Sequence, residues 1–236
     1  MKNFLRVNVA LFLTSFLGLF LNACGGGGGS TPLPQPPLIE ALLFSFPTGS
    51  VPPPNFENAL VSVTDSVSGA NITTATVTMN GVPLTYNAAP TRQEYEGNLV
   101  INPGDPVTLV VTVGDNTFTA SGTQFTSYPT ISVPVSGAIW IASSANTVTW
   151  SGGTPLTNDA VYLLGVLDAT DPNGGTAYFA PGQGTNVNSF SIPAFSLTAG
   201  SRVVIVGIMK PVFIPKAATN SVLVFGGFNY VPITVF

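Results

Sequence analysis

The stretch PVTLVVTV, residues 106–113, puts Val107, Leu109, Val111 and Val113 on one side of an extended chain and Thr108, Val110 and Thr112 on the other. Such period-two patterning recurs between clusters of Gly, Pro, Asn and Asp, and helix formers are scarce, so the chain is expected to be nearly all β. The turns fit. NPGD at 102–105 precedes this strand, and GDN at 114–116 leads into Thr117-Phe118-Thr119-Ala120, which predicts a hairpin. A second hairpin is expected at Asn80-Gly81, between TATVTM and VPLTY, because both central residues of a type I′ turn take positive φ. Pro83 marks an edge position there, since proline has no amide to give to a ladder.

With ALVSVTD at 59–65 and EYEGNLVI at 94–101, the segment from 39 to about 133 reads as six or seven short strands. YPTISVPVSG, 128–137, looks like a boundary, with Pro129 and Pro134 around a short exit strand; then a second series runs from GAIWIAS to YVPITV. The strand spacing is similar to that of an immunoglobulin-like sandwich. Trp140 to Gly153 and SFSIP at 189–193 resemble bacterial immunoglobulin-like domains of the extracellular kind. The resemblance implies a fold and no activity. The expected architecture is all-β, with two tandem immunoglobulin-like β-sandwich domains at 39–133 and 134–236.

Ahead of them, Lys2 and Arg6 precede the apolar run VNVALFLTSFLGLF, which reads as a secretory signal over residues 1–23. Leu21-Asn22-Ala23-Cys24 resembles the lipobox of bacterial lipoproteins, with Asn22 departing from the small residue usual at its place. The resemblance implies cleavage before Cys24, acylation of its thiol, for instance with palmitate, and, because Gly25 rather than Asp follows, the outer membrane or cell surface. More than one acyl chain would hold the protein stably on a bilayer. An uncleaved anchor is the alternative, since the apolar run approaches spanning length. Residues 24–38 then read as a linker, flexible through Gly25–Gly29 and stiffer through TPLPQPPL.

Composition narrows function. Beyond the leader, four basic face ten acidic residues, a net charge of −6, which argues against nucleic acid and against a basic patch for anionic lipid. With no histidine in the chain, Ser-His-Asp and Cys-His machinery and the usual zinc and copper sites are excluded, and no cofactor is expected. With one cysteine there is no disulfide within the chain, so stability must come from core packing.

Four features invite a site. Glu94 and Glu96 in TRQEYEG would share one face of a strand, about 7 Å apart, which overlaps the spacing of glycosidase carboxylates; the plainer reading is a solvated face on which Arg92 partners Glu94 while Tyr95 points inward. Asp168, Asp171 and Asn173 in DATDPNGG could offer oxygens to calcium, with Asp159 nearby, but the stretch lacks EF-hand spacing and reads more simply as a turn. Trp140 and Trp150, with Tyr162, Tyr178 and Phe179, could pave a sugar-binding face or fill a core. Last, the apolar strand SVLVFGGF beside the C-terminal NYVPITVF could leave an unpaired edge that recruits a partner strand. The expected role is a non-catalytic binding or scaffolding module for another envelope protein, with polysaccharide binding, and then a carboxylate glycosidase, as alternatives.

Overall fold

The computed structural model describes residues 35–47, 57–90, 92–152, 160–169, 176–183 and 188–236. Among these the chain forms strands and no helix. In the first half they are β1 (Leu38–Ser45), β2 (Ala59–Thr64), β3 (Thr76–Met79), β4 (Val82–Pro83), β5 (Thr85–Asn87), β6 (Glu94–Gly97), β7 (Pro106–Val113), β8 (Asn116–Thr123) and β9 (Pro129–Val133). The second half adds β10 (Ala138–Trp140), β11 (Asn146–Gly152), β12 (Val161–Asp168), β13 (Thr176–Gln183), β14 (Ser189–Ile192), β15 (Gly200–Phe213) and β16 (Val222–Val235).

They make three sheets. A nine-stranded sheet runs β13-β12-β15-β16-β1-β2-β6-β5, with β10 also on β16; a four-stranded sheet runs β4-β3-β7-β8; a three-stranded sheet runs β14-β11-β9. Strands from both sides of residue 133 share the long sheet, because β1 lies parallel to β16 over Glu40–Ser45 and Val222–Gly227. The two small sheets lie over the same face of it. Under the four-stranded sheet, Ile39, Leu43, Val61, Leu223 and Phe225 meet Val77, Met79, Leu109, Val111 and Phe118. Under the three-stranded sheet, Leu164, Val166, Val204, Val206 and Ile208 meet Val148, Trp150 and Ile192. The fold is therefore two tandem β-sandwiches with one sheet in common.

The local signals behave as the turn chemistry demands. Asn80 and Gly81 both take positive φ, 50° and 77°, and the Asn80 side chain bridges to the next strand, accepting from the Thr108 amide at 2.7 Å and donating to the Pro106 carbonyl at 2.8 Å. Pro83 lies in β4, an edge of its sheet. In β7 the odd residues Val107, Leu109 and Val111 are fully buried, and Tyr95 of β6 points inward.

Between the two cores a buried polar joint ties the sheets together. Ser45 Oγ and the Tyr128 hydroxyl share a hydrogen bond of 2.6 Å, and the Gln124 amide donates to Ser45 Oγ at 2.8 Å and to the Gly226 carbonyl at 3.1 Å. Tyr128 lies so close over β16 that a Cβ on Gly227 would come within 2.0 Å of its ring. Only glycine fits beneath it. The opposite face of the long sheet carries a third apolar cluster, Leu42, Phe44, Leu60, Leu163, Leu167, Ile205, Met209, Val222, Val224 and Phe228, whose described members all belong to that sheet.

Candidate functional site

The tryptophans line a core, not a surface. Trp140 on β10 is 7% exposed and Trp150 on β11 is 2% exposed, both among Val148, Leu164, Ile192 and Val235. The Trp150 ring packs at 5.4 Å from Tyr162, and Tyr178 packs at 6.1 Å from Phe190. A sugar ring stacks on an open aromatic face, and neither tryptophan has one. The side chain of Phe179 lies outside the described residues.

Of the calcium candidates, Asp171, Asn173 and Asp159 lie outside the described residues. Asp168 closes β12 and receives Arg202 Nη1 at 2.9 Å. Arg202, 4% exposed, also donates through Nη2 to the Thr198 and Ala199 carbonyls, both at 3.0 Å, and so fastens the turn before β15. The Asp168 carboxylate thus has a cation already, from a side chain.

Glu94 and Glu96 share a face of β6, with Glu94 buried. Arg92 partners Glu96, not Glu94: its Nη1 donates to both carboxylate oxygens, and the Asn87 amide donates to one of them. On β6, Glu94 lies opposite Asn87 of β5, whereas Glu96 is flanked on both sides, by Thr85 of β5 and Leu60 of β2. Glu96 instead meets Glu57, which the sequence reading did not single out, at an open recess of about 430 Å³ lined also by Tyr86, Asn87 and Asn98. Burial pushes the Glu57 carboxyl above its ordinary value, the charge of Glu96 adds to this, and a hydrogen bond from Asn98 opposes it. In the recess Asn98 donates to Glu57, while Glu96 accepts from Arg92 and Asn87 and so has both oxygens occupied.

The C-terminal strand is not an edge. Val222–Val235 forms one continuous strand, β16, hydrogen-bonded along its length to β15 on one side and to β1 and then β10 on the other. A strand apolar on both faces finds cover only inside a sheet.

The exposed edge is β8. Among the described residues it pairs with β7 alone, over Pro106–Val113, without a bulge. Because Thr108 turns its amide and carbonyl toward Asn80 on the β3 side, its partner Ser121 turns its own outward, and so do Thr117, Thr119 and Thr123. These outward groups have no backbone partner among the described residues. The same residues put hydroxyls in solvent, while Phe118 and Ala120 face the core at 5% and 3% exposure.

Proteins usually blunt long edges with charge, proline, bulges or short length. The other described edges follow that rule. β4 has two residues including Pro83, β5 three, β14 four, β9 five beginning with Pro129, and β13 contains Pro181. The end of β15 beyond its pairing with β12 carries Lys210 and Pro211. β8 has eight residues, NTFTASGT, with neither charge nor proline. The strand itself was legible as half of a hairpin, and its unguarded composition was the available signal.

No protein-family model matches the chain, and no curated protein matches it. Among solved structures the chain is similar to the FN1–FN3 domains of chicken CNTN1, at 11% identity over 86% of this chain and 67% of that one, with a TM-score of 0.26. It is also similar to domains 4 and 5 of the S-layer protein SbsC, at 14% identity over 85% and 98% of the two chains, TM-score 0.23. A third similarity is to immunoglobulin domains 1–5 of Sidekick-1, at 12% identity over 85% and 39%, TM-score 0.21.

Proposed function

We propose that this chain is a lipid-anchored envelope protein, held at Cys24 on the outer membrane or cell surface, which docks another envelope protein without catalysing a reaction on it. One observation carries the docking role: the eight-residue, uncharged, proline-free edge of β8, whose outward amides and carbonyls have no backbone partner among the described residues. Such an edge takes up an extended segment as a further strand, in which main-chain hydrogen bonds give affinity and alternate side chains give selectivity. The anchor reading rests on the resemblance of Leu21-Asn22-Ala23-Cys24 to a lipobox, and the Gly25–Gly29 run would give the sandwiches slack above the bilayer.

A photoreactive phenylalanine analogue in place of Thr119, irradiated in the native envelope, tests the docking role. The expected result is a discrete protein adduct that is lost when the analogue stands instead at Thr147, exposed on the three-stranded sheet. Equal labelling from both positions, or none from Thr119, refutes the docking edge. Cys24→Ser should move the chain from the membrane fraction to the soluble envelope fraction; retention in the membrane refutes the lipid anchor.

A further inference from the structure

The composition of β8 also specifies a partner, and we infer that it is β8 of a second copy of this chain, added antiparallel about a two-fold axis through Thr119. This inference rests on the reading of β8 as a docking edge and takes the envelope protein docked there to be a second copy of this chain. The residues whose amides and carbonyls point outward are odd-numbered, so a homotypic antiparallel pair must set odd against odd. Centring the pair on Thr119 puts Thr119 opposite Thr119, Thr117 opposite Ser121 and Phe118 opposite Ala120, each pairing occurring twice except the first.

That register is complementary on both faces. On the solvent side it sets hydroxyl against hydroxyl, which this sheet already does internally: Thr112 and Thr117 are bonded at 3.2 Å, and Thr108 and Ser121 at 3.3 Å. Cross-strand Thr and Ser pairs of that kind stabilise sheets. On the core side it sets a large ring against a methyl group, so neither Phe118 meets another Phe118. No charge lies among residues 116–122, which this register pairs with one another, and Asp115, next along, falls opposite the uncharged Thr123, so no two carboxylates are set against each other across the pair. The product is a sheet running β4-β3-β7-β8 and then β8-β7-β3-β4 of the second copy, whose outer margins are the short, proline-bearing β4 strands. Both long edges are consumed, and the assembly closes as a dimer.

The test uses the full chain carrying Cys24→Ser, so that an added thiol is the only one. Thr119→Cys places two thiols on the axis, where hydrogen-bonded antiparallel residues have Cα atoms about 5.5 Å apart, within disulfide reach. Thr117→Cys places them about 14 Å apart, beyond it. Expected are a sedimenting dimer, a disulfide-linked dimer from Thr119→Cys under mild oxidation, and none from Thr117→Cys. Thr119→Lys, at an exposed position, should leave the circular dichroism spectrum unchanged and raise the dimer dissociation constant at least tenfold. A chain that stays monomeric and does not crosslink through Thr119→Cys, while the photoreactive analogue still captures a different protein, overturns the self-association and leaves the docking edge standing. Neither self-linkage nor capture overturns both. Equal linkage from the two cysteine positions reports random collision and overturns the register.

Discussion

The long sheet and the four-stranded sheet packed on it treat their two faces differently. In β7 burial alternates, with Val107, Leu109 and Val111 inside and Thr108, Val110 and Thr112 partly open. In β12 six consecutive residues, Tyr162–Leu167, are buried, as are Val204–Met209 in β15. The four-stranded sheet is thus a lid, dry on one side and wet with hydroxyls on the other. The long sheet is apolar on both sides, carries the two small sheets on one of them, and ties the two halves of the chain together through β1 and β16. The difference teaches that stability and interaction are allotted to different sheets. One carries packing that tolerates little change, and the other carries an open edge and a surface that tolerates much.

Substitutions can break or sharpen that contrast. The largest effect is expected at Leu164, fully buried in β12: Leu164→Ala should cost about 2–5 kcal/mol in urea unfolding, whereas Thr76→Ala on the open face of β3 should stay within about 0.5 kcal/mol. Comparable losses at the two positions would erase the distinction between long sheet and lid. Gly227→Ala, beneath the Tyr128 ring, should cost about 1–3 kcal/mol by overpacking, and the loss should shrink when Tyr128→Ala is present in the same chain. Strict additivity of the pair would show that the ring is not the obstacle.

A smaller effect falls in the lid. Asn80→Ala loses two bonds to β7 and puts an alanine at φ 50°, at a cost of about 1–2 kcal/mol, while Asn80→Gly, which keeps the backbone relaxed, should cost less. The smallest concerns Glu40, on the outer face of the long sheet, whose carboxyl burial holds above its ordinary value. A raised carboxyl favours the protonated folded form, so its contribution is fullest below the ordinary carboxylate range and is lost as pH rises through the raised value. Glu40→Gln should therefore match the parent at pH 4 and exceed it in thermal stability at pH 7. An advantage at pH 4 instead would show that the burial cost is not electrostatic.

Much of the lid was legible because its signals are local. Asn80-Gly81 forces a turn wherever it stands, and PVTLVVTV declares its two faces by composition alone. The long sheet was legible strand by strand but not in its order. SVLVFGG and YVPITV read as two strands because Gly226-Gly227 resembles punctuation, yet β16 runs through them, and Gly227 is there to clear the Tyr128 ring. A glycine that makes room for a distant side chain has the same letter as one that turns the chain. The candidate sites divide likewise. The alternation around Trp140 and Trp150 permitted either face, and packing against β12 and β14 chose the core. Arg92 stands at workable spacing from both glutamates, and the folded structure pairs it with Glu96.

By itself the sequence determined that this chain is β, where its hairpins turn, that histidine chemistry is out of its reach, and that its N-terminus resembles a lipoprotein leader. Those properties reside in single residues and their immediate neighbours. Which strands are central and which are edges was decided only by tertiary structure, since β1 joins β16 across most of the chain's length and β8 has one neighbour among the described residues. Strand order is set by which apolar faces can cover one another, and that is a property of the whole set of strands at once.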